Sequence, residues 1–119
     1  MKVISTNEVK AFVAGDKTQI KELLHPEKNK VPINYSLAHA TVAPGEASVP
    51  HILKYSEVYY ILSGTGKVHV DDEEKVLKKG DLVHIPPNAN QWIENVGSDE
   101  LVFICIVSPP WNPACEVIL

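Results

Sequence analysis

His51 and Glu57 stand six residues apart, and Leu53 and Tyr59 share their odd parity. Side chains alternate between the two faces of an extended chain, so these four project from one side of a sheet. An imidazole and a carboxylate on one face have two uses. With further donors they ligate a divalent ion. Without an ion they form a buried hydrogen-bonded pair that meets an organic ligand directly. Tyr59 adds an aromatic wall and a hydroxyl donor to either arrangement.

The remaining histidines carry weaker signals. His69 alternates with Val68 and Val70, and His84 with Val83 and Ile85, so both are expected to face outward. His39 belongs to a strand candidate whose inward face the sequence leaves open. His25, before Pro26, reaches the pocket only if the N-terminal segment folds back. The two cysteines, Cys105 and Cys115, read as buried free thiols. Cys105 lines the pocket if its strand faces inward with Phe103 and Val107, but the apolar run 101–107 hides that parity.

Elements that position these residues follow from punctuation. Nine prolines and six glycines in 119 residues imply short strands and many turns. Strand candidates occupy residues 35–42, 57–62, 67–70, 75–77, 82–85, 91–95 and 101–107, divided by Ala43-Pro44-Gly45, Ser63-Gly64-Thr65-Gly66, an acidic turn at 71–74, Lys79-Gly80-Asp81 and Gly97-Ser98-Asp99. Roughly eight strands at near-regular spacing indicate a sandwich or barrel. Residues 1–34 read as an N-terminal arm adding an edge strand, 35–107 as the barrel core, and 108–119 as a tail whose Trp111 packs against the core, contacts a second copy, or covers the barrel mouth. The length suits one domain.

Charge excludes some partners. The formal net charge is −4, and no Lys-rich run tracks a phosphate backbone, which argues against nucleic acid. All eleven basic residues are Lys, so the bidentate Arg fork for carboxylates and phosphates is missing. An anionic ligand would have to rely on Lys, a metal or backbone N–H groups. No stretch reaches about 18 apolar residues and no leader pattern opens the chain, so the expected setting is the cytoplasm, away from membranes.

Two motifs resemble those of the cupin superfamily. Residues 45–64 follow G-x5-H-x-H-x3-E-x6-G with Gly45, His51, Glu57 and Gly64 in place and Leu53 at the second His position. Residues 80–95 follow G-x5-P-x-G-x2-H-x3-N with Gly80, Pro86 and Asn95 in place, Asn88 for Gly and Gln91 for His. The resemblance implies an all-β double-stranded β-helix, the cupin jelly roll, carrying here an N-terminal arm. Family members hold a metal inside the barrel with two motif-one His, the Glu and the motif-two His. Carried over, the implied ligands are His51, Glu57 and the amide oxygen of Gln91, with open positions for water or substrate. The implied cofactor is a divalent transition metal (Zn, Mn, Fe or Ni), and Glu57 is the implied ligand or base; Tyr59, on the same face by parity, is the second candidate catalytic group.

The fold hosts many chemistries. Three functions stay open: a metal-dependent small-molecule enzyme of oxygenase, isomerase or epimerase type, a metal-free module binding a sugar or other small metabolite, and a barrel serving assembly alone. A homodimer is expected, since edge strands need cover.

Overall fold

The computed structural model describes all residues, Met1–Leu119. Eleven strands form: β1 (Phe12–Val13), β2 (Gln19–Leu24), β3 (Ser36–Val42), β4 (His51–Leu53), β5 (Ser56–Ser63), β6 (Thr65–Val70), β7 (Glu73–Lys78), β8 (Leu82–Ile85), β9 (Asn90–Asn95), β10 (Leu101–Ser108) and β11 (Glu116–Ile118). They build a six-stranded sheet, β1-β2-β3-β10-β5-β8, and a five-stranded sheet, β11-β4-β9-β6-β7, with every pairing antiparallel. The core lies between them.

Alternation decides which side chains enter that core. On β5, Glu57, Tyr59 and Ile61 are buried while Tyr60 and Leu62 are exposed; on β10, Leu101, Phe103, Cys105 and Val107 are buried. The apolar run 101–107 therefore has an inward odd face. Its even face lies on the outside of the six-stranded sheet, where Ile106 is exposed opposite Val58, and Tyr60 and Leu82 are exposed opposite each other.

The chain passes from one sheet to the other at Gly64, between β5 and β6. There φ is +84°, and a Cβ would stand 2.6 Å from the Glu100 carbonyl oxygen, so a side chain is excluded both by conformation and by contact. Asn95, the last residue of the second motif, closes this end of the barrel. Its Nδ2 donates to the carbonyls of Val42 and Asp99 at 2.9 and 2.8 Å, and its Oδ1 accepts from the Gly97 N–H.

Both ends of the chain extend the barrel. The expected N-terminal arm contributes the β1–β2 hairpin, with β2 paired to β3. The tail forms β11, which pairs with β4 and places Glu116 opposite Leu53 and Ile118 opposite His51. His25 ties the two ends together. Its Nδ1 accepts from the Glu27 N–H at the start of the single-turn helix α1 (Pro26–Asn29), which leaves Nε2–H to donate to the Trp111 carbonyl at 2.8 Å.

Candidate functional site

A cavity of about 140 Å³ opens between the sheets, and its lining joins barrel strands to both chain ends. His51, Leu53, Glu57 and Tyr59 all face it, the arrangement their shared parity predicts. Asp16, Glu22, Cys105, Trp111 and Glu116 are among its other polar and aromatic parts, and Ala38, Ala40 and Phe103 are among its apolar walls.

Two groups of polar side chains stand at the cavity, all of them lining it except Gln91, which lies buried behind Glu57 and Tyr59. The first is Asp16, His51 and Glu116, whose ligating atoms lie within 4.8 Å of one another. Each is oriented by something behind it. His51 is 2% exposed, and its Nδ1–H donates to the Val49 carbonyl at 2.8 Å. That bond fixes the tautomer with the lone pair on Nε2, which is the usual way a ligating imidazole is aimed. Asp16 sits in the β1–β2 turn, where its Oδ1 accepts from the N–H and hydroxyl of Thr18 at 3.1 and 2.6 Å. Its other oxygen, Oδ2, is left 3.7 Å from His51 Nε2. The Asp16 carbonyl also accepts from the Val49 N–H at 2.7 Å, so a single residue anchors both partners.

A separation of 3.7 Å is too long for a hydrogen bond. Donors sharing one ion at ~2.1 Å lie roughly 3 to 4.2 Å apart, and the Asp16–His51 pair is already inside that range. Glu116 is half-buried, and burial pushes its carboxyl up more than the nearby His51 pulls it down. A bound cation would reverse that cost. One imidazole and two carboxylates thus fit a divalent ion.

The second group is Glu57, Tyr59 and Gln91. Gln91 Nε2 donates to Glu57 Oε1 at 2.6 Å and to the Tyr59 hydroxyl at 2.9 Å. Burial pushes the Glu57 carboxyl up to about 8, although the Gln91 hydrogen bond pulls the other way. Burial, then the nearby Glu57, raises the Tyr59 phenol well above its ordinary value. Both groups are therefore mainly protonated near neutral pH. This end of the cavity offers neutral hydrogen-bonding groups and, in Glu57, an acidic proton.

Of the three ligands implied by the motifs, His51 stands across β4–β9 from Gln91 but turns its Nε2 toward Asp16, while Glu57 and Gln91 bond to each other. Gln91 presents its NH₂, not its oxygen, to Glu57. Sequence reasoning missed Asp16 and Glu116, which lie outside the barrel motifs. The only sequence signals for them were the Gly15-Asp16-Lys17-Thr18 turn and the even spacing of Glu116 from Ile118.

The other candidates settle elsewhere. Cys105 lines the cavity, and burial raises its thiol well above the ordinary value. His84 is exposed and bonds to the Ser56 hydroxyl. His39 does not reach the cavity. His69 lies on the outward face, but its side chain is only 15% exposed, because it stacks on Trp92 at 3.7 Å and pairs with Glu94 and Glu74. Trp111 both lines the cavity and packs against the small cluster of Leu53, Val107 and Cys115.

The cupin-domain family matches residues 38–107, and the chain belongs to that family. It is 39% identical over 115 residues to an uncharacterized protein, MJ1618, of Methanocaldococcus jannaschii, covering 94% of this chain and 91% of that one. Its fold is similar to a predicted oxalate decarboxylase of Thermotoga maritima (TM-score 0.79, 22% identity, 91% of this chain and 99% of that one). It is also similar to the oxalate decarboxylase of Lactobacillus farciminis, with a TM-score of 0.82 and 22% identity over 95% of this chain. The chain spans 34% of that enzyme's length. These structural likenesses establish the jelly-roll fold. No helix of the structure is long and apolar enough to cross a membrane.

Proposed function

We propose that the chain is a metal-dependent cupin acting on a small molecule, with the ion held by Asp16, His51 and Glu116. The observation that carries this is the buried His51 imidazole, locked through Nδ1 and aimed through Nε2 at two carboxylates. Leu53 removes the imidazole at the family's second His position, and Glu116 reaches the cavity from the residue directly across the strand pair. Asp16, His51 and Glu116 would hold the ion, which would supply Lewis acidity to a substrate in the cavity. Glu57, kept protonated by burial, donates or returns a proton to a ligand in the cavity. Gln91 holds Glu57 in place, and Tyr59 supplies a wall and a second hydroxyl.

The test is titration of EDTA-treated protein with Mn²⁺ by calorimetry, with H51A alongside. Stoichiometric binding that H51A abolishes is the expected result; no binding by the wild type would refute the reading.

A second reading has its own support. The Glu57–Gln91–Tyr59 group is hydrogen-bonded without any ion, as a non-catalytic module binding a small metabolite requires. Ligand binding that persists unchanged in EDTA favours that module. A homodimer in the cytoplasm completes the proposal; exposed Tyr60, Leu82 and Ile106 on the outer face of the six-stranded sheet support the dimer alone.

A further inference from the structure

The charge inventory of the cavity narrows what it can hold, taking the metal-site reading above as its basis. Asp16, Glu22, Glu57 and Glu116 all line it, and His51 is its only basic side chain. The chain has no Arg, and none of its eleven Lys is a lining residue; Lys28 Nζ donates to the backbone carbonyl of Glu22 at 2.9 Å, but on the exposed side of that strand. The ligand set implied by the family motifs, three imidazoles and one carboxylate, leaves a divalent ion with a positive surplus. Here two carboxylates cancel the ion's charge, and Glu22 adds a further negative group. Neither the metal-free nor the metal-loaded cavity therefore presents net positive charge to an anion, and no guanidinium or ammonium offsets the loss of its hydration.

Size and wall chemistry point the same way. The volume of about 140 Å³ is close to the ~150 Å³ cavity that admits benzene. Ala38, Ala40, Leu53 and Phe103 supply apolar walls, and the protonated Glu57 and Tyr59 supply hydrogen bonds at one end. We infer that the cavity takes an uncharged molecule of single-ring size with one polar end, and that it excludes small dianions such as oxalate. The chain thus departs in ligand class from the oxalate-acting proteins whose fold it shares.

The experiment is methyl NMR on the full chain, both EDTA-treated and Zn²⁺-loaded, with benzyl alcohol and oxalate as probes. The His51 ring signals report whether zinc enters and stays. Benzyl alcohol should shift the methyls of Ala38, Ala40 and Leu53 saturably in both forms. Oxalate should leave them unmoved at about 100-fold higher concentration. In Glu22→Lys, which exchanges a negative for a positive lining group, oxalate should gain at least about tenfold in affinity. Comparable shifts from oxalate and benzyl alcohol in the wild type, no response to benzyl alcohol, or continued exclusion of oxalate by Glu22→Lys would each overturn the inference. Failure of zinc to move the His51 signals would instead refute the metal site, and the metal-free comparison would still decide the ligand class.

Discussion

Glu57→Gln should make the protein more stable at alkaline pH and flatten its pH dependence. Glu57 is 6% exposed, and its carboxyl is raised from 4.5 to about 8, chiefly by burial. Below pH 4.5 the group is protonated in both the folded and unfolded chain. Between 4.5 and 8 the unfolded chain releases the proton and the folded one keeps it, so stability falls as pH rises through that window. The full span corresponds to about 5 kcal/mol, an upper figure for a group that solvent can partly reach on local opening. That is comparable with the whole stability of many small domains.

Gln at this position cannot ionise, yet its amide oxygen still accepts from Gln91. Urea unfolding in EDTA at pH 5, 6.5 and 8 would read the effect. Wild-type stability should fall by several kcal/mol from pH 5 to 8, and the variant should lose most of that slope. A residual slope remains, since the raised Glu116 carboxyl acts in the same direction. Equal slopes in the two proteins would refute the buried, protonated Glu57.

Further outcomes follow from other contacts. At a concentration about 100 times its dissociation constant, Mn²⁺ should stabilise the wild type by about 2.7 kcal/mol, read as a rise in Tm, and the gain should vanish in H51A. Leu53→His should bind Mn²⁺ at least about tenfold more tightly, because an imidazole joins the cavity across from Glu116. It should also cost the metal-free protein about 1–3 kcal/mol in urea unfolding, because Leu53 is packed with Val107 and Cys115. Gly64→Ala should destabilise by about 2–4 kcal/mol, since its Cβ would meet the Glu100 carbonyl at a positive φ. His25→Ala should cost about 1–2 kcal/mol and speed proteolysis of the tail, because it removes the bond to the Trp111 carbonyl and the cap of α1.

Much of the barrel was legible because period-two alternation survives in the sequence. The odd residues 51, 53, 57 and 59 share one face, and the motif glycines fall at turns such as Gly64, where only glycine fits. The inward face of residues 101–107 was not legible, because both faces of β10 are apolar and alternation leaves no trace. Asp16 and Glu116 were missed for a different reason. Each reaches the cavity through pairings between segments distant in sequence: β11 with β4, and the Asp16 carbonyl with the Val49 N–H. Short-range spacing carries no record of such contacts. His69 shows the same limit, since its stacking partner Trp92 lies on a neighbouring strand.

The most direct test of the central claim is anomalous diffraction from a crystal of the protein grown with Mn²⁺. The account predicts one strong peak in the cavity, with Asp16, His51 Nε2 and Glu116 as its ligands at roughly 2.0–2.3 Å. A peak coordinated by Glu57 and Gln91 instead, or a cavity without any peak at millimolar Mn²⁺, would contradict it.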